Sequence, residues 1–154
     1  DYLAYDLITR NKNLQALIQN NSLRINVENH VLLSPISFKR TDIEIFISGC
    51  GFVIECKNLK HVDPEYIKNG VTRFTEEFYS KSDSDAGMIG FVVSGDRDKI
   101  ITGLKSLVGA HNPTANCQQL LNQLCINYPK SFHSEHKRKT KEPILVHHLF
   151  INLQ

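Results

Sequence analysis

The chain has 154 residues, 18 Lys+Arg against 16 Asp+Glu, a formal net charge of +2 and an apolar share of 41%. These figures predict one domain, 1–154, with a sizeable core, and they exclude a protein that holds nucleic acid through bulk basicity. No run of about 18 apolar residues is present, so no membrane-spanning helix and no membrane partner are expected.

Leu3, Leu7, Leu14, Leu17 and Ile18 recur at helical spacing and predict an amphipathic helix over 2–19. The chain's first residue, Asp1, is not Met, so an initiator or leading segment is expected ahead of it. Leu23, Ile25 and Val27 alternate with polar residues, and Val31, Leu32 and Leu33 follow, as one bent or two short strands. Residues 41–59 then read as a β-hairpin about Gly49-Cys50-Gly51. Asp63 as N-cap and Pro64 at the first helical position start a helix, whose Ile67, Val71, Phe74 and Phe78 form the sheet-facing stripe. Tyr66, Arg73 and Glu77 lie on one flank of that helix, Lys68 and Tyr79 on the other. Residues 86–94 are apolar enough for a buried strand. Helices are predicted over 98–108 and over 115–125, the second with Cys117, Leu120, Leu121 and Leu124 on one side. Residues 144–153 form a last strand that sends His147 and His148 to opposite faces. The order predicts an α/β domain with a mixed sheet flanked by helices. Cys50, Cys56, Cys117 and Cys125 show no CxxC spacing, which predicts free thiols in a reducing, cytoplasmic compartment.

Glu55 and Lys57 stand two apart on one strand of the hairpin and share a face. An acid and a base on a core-bound strand cost desolvation free energy unless they pair, hydrogen-bond or hold a metal. A two- or four-residue turn puts Asp42 and Glu44 on that same face, and a three-residue turn puts them on the other. Near the C-terminus, His133, His136, Lys137, Arg138, Lys139 and Lys141 form a basic segment. It reads as a phosphate-contact loop or as a solvated loop before the last strand.

Asp42, twelve residues, then Glu55-Cys56-Lys57, set in a helix, three strands, helix, strand order, resembles the PD-(D/E)XK nuclease superfamily. The resemblance covers about residues 2–94 and implies a restriction-endonuclease-like fold, with an α-β-β-β-α-β core followed by C-terminal helices and a strand. The run ECKNL…YIKNGVTRF…AGMIGFV is also similar to poorly characterised prokaryotic proteins of restriction or phage defence. The resemblance implies a hydrolase that cuts nucleic acid, DNA first, with Mg2+ or Mn2+ as cofactor. Asp42 and Glu55 would hold the metal with the Cys56 carbonyl, because hard divalent ions take oxygen ligands and stabilise charge on a reacting phosphate. Lys57 would orient or help deprotonate the attacking water. Glu44, Lys68 and Arg73 are accessory candidates, Arg73 with Glu77 as its alternative partner. His136, Lys137 and Arg138 are candidates for nucleic-acid contact. Asp6 is the first helix's sole acid for a second metal. A homodimer or larger defence complex is the implied assembly. The alternative is a nuclease-fold module that binds nucleic acid or a protein partner without cutting, and a third reading makes Glu55 and Lys57 a structural ion pair.

Overall fold

A computed structural model describes residues 12–34, 37–76, 78–79, 83–110, 117–122, 130–138 and 142–154. Along the chain come α1 (Lys12–Gln19), β1 (Leu23–Ser34), β2 (Ser37–Ile47) and β3 (Cys50–Leu59). A π-helical stretch, Ile67–Val71, runs on into an α-helical turn, Thr72–Thr75, and the two together are α2. Then follow β4 (Asp85–Val92), α3 (Arg97–Ala110), β5 (Cys117–Asn122), β6 (Phe132–His136) and β7 (Ile144–Asn152). The fold is α/β, and among the described residues seven strands form one sheet in the order β1-β2-β3-β4-β7-β6-β5. The sheet is mixed because β3 to β4 and β4 to β7 are parallel while the outer pairs are antiparallel.

The predicted hairpin is β2 and β3, and its turn falls earlier than the glycine spacing suggested. Ile47 pairs with Cys50, which leaves the two-residue turn Ser48-Gly49, while Cys50 and Gly51 already belong to β3. Both turn residues have positive φ, +48° and +87°, the backbone of a type I′ turn whose twist matches that of the strands. β1 is a single strand rather than two, bent at Glu28, which has φ +50°. There the β1–β2 ladder steps from Val27 opposite Ile43 to Asn29 opposite Thr41 and skips Glu28 and Asp42.

Burial alternates strictly along β6 and β7, so one face of the sheet carries the core. Val53, Leu59, Met88, Phe132, Val146 and Phe150 line it, and α2 and α3 bring Ile67, Val71, Phe74, Ile101, Leu104 and Val108 into the same cluster. Each such side chain contributes about 1.5–3 kcal/mol by leaving water. Gly70 lets α2 come close: a Cβ there would lie 2.5 Å from Met88 Cε and 3.7 Å from Lys57 Cε. The helix predicted from Asp63 is shorter than its stripe, ending at Thr75, so Phe78 leaves the core and is exposed. Where a helix was expected over 115–125, residues Cys117–Asn122 form the edge strand β5 against β6. Residues 2–11 of the predicted first helix lie outside the described residues.

Candidate active site

Register brings the hairpin's acids to one face. β2 and β3 pair Glu44 with Val53 and Ile43 with Ile54, and the same ladder carried one step further sets Asp42 opposite Glu55. Asp42 is the residue that the β1–β2 ladder skips, and its carboxylate turns to β3, where Oδ2 accepts the Cys56 amide at 2.7 Å. Glu55 in turn heads a row that crosses the sheet through Met88, His148 and Phe132 on the core face. Its side chain is 2% exposed.

Two cations meet Glu55 on one oxygen. Oε1 accepts from Lys57 Nζ at 2.6 Å and from Arg73 Nη1 at 3.0 Å. The same Nη1 donates to the Tyr79 hydroxyl at 2.6 Å. Burial holds the Glu55 carboxyl above the usual range, the Lys57 hydrogen bond pulls it back in part, and the Asp42 charge pushes it up again. Oε2 is buried as well, and among the described residues nothing donates to it. A polar atom left so carries a desolvation cost unless something binds it.

Asp42, Glu55, Lys57 and Arg73 line a cavity of about 370 Å³, with Cys56, Phe78 and Tyr79 completing its wall. The Cys56 thiol is pushed up to about 12, by burial first and then by the Asp42 and Glu55 charges, so it stays protonated at neutral pH. A protonated thiol is a poor ligand, and the carbonyl is what this residue has to offer a cation. Among the described residues no three His, Cys, Asp or Glu side chains gather into a metal cage. What the cavity does present is two carboxylates, one with a buried oxygen in need of a partner. That set fits Mg2+ or Mn2+, hard ions held by one or two carboxylates that keep several waters, and it does not fit structural zinc.

The other expected residues are divided by the fold. Arg73 is brought in, and Glu77, its alternative partner, lies outside the described residues. Glu44 is buried on the same side but does not line the cavity. Lys68 is 73% exposed and lies 3.7 Å from Glu65, away from the acids. Residues 134–138 are not the phosphate loop that their charge suggested. Phe132–His136 is strand β6, and His136 is fully buried, with Nε2 2.6 Å from Ser134 Oγ. Arg138 is buried too and donates through Nε to the Glu142 carbonyl at 2.7 Å, which leaves Lys137 exposed. Lys139, Lys141 and Asp6 lie outside the described residues.

Phe78, expected at the end of the sheet-facing stripe, and Tyr79, expected on a polar flank, both line the cavity instead. The signal was an adjacent aromatic pair at the end of a stripe that the helix is too short to complete. Burial, then the Glu55 charge, pushes the Tyr79 phenol up to about 12, so it stays protonated beside Arg73. A second polar group lies farther along the core face. Tyr66 Oη meets His148 Nδ1 at 2.9 Å, and His148 Nε2 meets Ser134 Oγ at 2.7 Å. His148 is thus a hydrogen-bonded core histidine, while His147 faces the other side, as the strand predicted over 144–153 requires, and meets Asp85 Oδ1 at 2.8 Å. Comparison with protein-family models, curated proteins and solved structures found no match.

Proposed function

We propose that this chain is a Mg2+- or Mn2+-dependent nuclease on a restriction-endonuclease-like fold, acting on DNA. The observation that carries the reading is the buried, unsatisfied Glu55 Oε2 in a cavity shared with Asp42, Lys57 and Arg73. Asp42 and Glu55 would hold the metal with the Cys56 carbonyl, and the ion would supply Lewis-acid stabilisation of charge on the phosphate. Lys57 donates to and orients the attacking water and offsets phosphate charge. Arg73 keeps a guanidinium beside the same phosphate, positioned by Tyr79 and suited to planar contact with its oxygens. Absent helices long and apolar enough to cross a membrane among the described residues, a cytoplasmic setting in restriction or phage defence, as a homodimer or within a larger complex, accords with this reading.

The test is manganese titrated against thermal stability and against cleavage of DNA and RNA. The wild-type melting temperature should rise with manganese, because an ion bound to the folded chain alone stabilises it. Asp42→Asn and Glu55→Gln should abolish both that rise and cleavage. If manganese changes neither quantity in the wild type, the assignment fails. One observation favours a second reading, a structural ion cluster in a non-cutting module: Glu55 Oε1 already accepts from two cations. Salt-dependent DNA binding with no metal-linked rise and no cleavage would support it.

A further inference from the structure

Phe78 is a large apolar side chain left 44% exposed at a cavity whose other walls are acids, cations, a cysteine and a phenol. Its position is set. The amides of Phe78 and Tyr79 both donate to the Arg73 carbonyl, at 2.9 and 3.0 Å. The buried Tyr79 ring meets Phe78 edge-on, with centroids 5.2 Å apart at 63°. Arg73 sits 5.4 Å over the same Tyr79 ring and reaches Glu55 at 3.0 Å. One chain of contacts thus fixes an exposed aromatic ring relative to the carboxylate proposed to hold the metal.

We infer that Phe78 is a stacking platform for an unpaired base, and that the site takes single-stranded DNA or unpaired ends in preference to duplex. The inference rests on the nuclease reading of the cavity. Its physical ground is that a ring can stack on a base only where a base face is free. In a duplex both faces of each base are covered by neighbours, and a ring beside the scissile phosphate would meet only sugar and phosphate. In a single strand the phosphate can lie among Lys57, Arg73 and the acids while an adjacent base covers Phe78. Stacking of this kind does not depend on which base is present, so little sequence selectivity is expected from it.

The experiment uses a short DNA strand with 2-aminopurine near its middle and a hairpin duplex of the same sequence. Binding is read as 2-aminopurine quenching in the Asp42→Asn background, which leaves the strand uncut, and cleavage is read with the wild-type acid and manganese. The single strand should be quenched and preferred over the hairpin by at least roughly tenfold. Phe78→Ala should weaken it about 5- to 150-fold, the range of one lost base stack, and Phe78→Trp should keep it. Circular dichroism checks that Phe78→Ala folds, as its exposure predicts. Equal binding of strand and hairpin, or a Phe78→Ala chain that quenches like its parent, overturns the inference. Failure of the nuclease reading looks different: quenching that depends on Phe78 with no cleavage by the wild-type acid leaves the platform standing and removes the enzyme. Cleavage without quenching removes the platform alone.

Discussion

Glu55 holds its proton more tightly in the folded chain than in the unfolded one, because burial outweighs its two cationic partners. For a raised carboxyl the sign follows directly: its contribution to stability is full below its ordinary value of 4.5 and is lost as pH rises through the folded value. Ionised Glu55 is therefore a cost at neutral pH, which a divalent ion on Oε2 would offset. The manganese-linked rise in melting temperature should accordingly grow as pH climbs above 4.5, since the ion displaces a proton. A rise independent of pH would place the metal elsewhere. If the proposed nuclease reading holds, Lys57→Ala should cut kcat roughly 10²- to 10³-fold, the cost of a lost charge-stabilising donor, with the fold intact by circular dichroism. Tyr79→Phe removes the hydroxyl that positions Arg73, and about a tenfold fall in kcat/KM is expected, with Arg73→Ala adding little to it because the two act together.

At the scale of elements, the site depends on how closely α2 approaches the sheet. Gly70→Ala would place a methyl 2.5 Å from Met88 Cε, and overpacking of this kind costs about 1–3 kcal/mol. Met88→Ala alone should also destabilise, and the double variant should be less destabilised than the two effects added, as chemical denaturation would show. Strict additivity would mean that the two residues are not in contact. Much of this architecture was legible in the sequence. Period-two alternation at Leu23, Ile25 and Val27 marked β1, the β-rich runs of 41–59 marked the hairpin β2–β3, and the pair Glu55 and Lys57 on one strand face marked the candidate site. What the sequence withheld was decided by tertiary pairing. Cys117, Leu120 and Leu121 fit a helical stripe, yet the segment pairs with β6 along a sheet edge, where pairing overrides local pattern. β6 was hidden because His133, Glu135 and His136 look like a solvated basic run, although Phe132, Ser134 and His136 are its buried face. Turn length fixed which face Asp42 takes, and it is set by the backbone of Ser48 and Gly49 rather than by the count of glycines nearby.

For the whole molecule, acid should act through the buried histidine that joins Tyr66, the residue just before α2, to β6 and β7. Burial holds His148 well below its ordinary value of 6.5, and His136, His147 and His133 push it the same way. A histidine lowered by folding contributes stability in full above 6.5, and that stability is lost as pH falls from there toward the folded value. Denaturation free energies should decline by up to about 1.4 kcal/mol per pH unit from this group as pH falls below 6.5, and His148→Gln should flatten that slope. An unchanged slope would show that His148 is already charged in the fold. Sequence distance carries one more consequence, and it concerns time. The bond from the Cys56 amide to Asp42 closes across a single tight turn. The bond from the Leu145 amide to the Ser84 carbonyl closes only after β4, α3, β5 and β6 have been laid down between them. Local hairpins form in about 1–10 μs, while parallel pairing between distant strands waits on the entropy of closing long loops. During refolding the Cys56 amide should gain protection from hydrogen exchange before that of Leu145, so that the acidic edge is assembled while the centre of the sheet is still open.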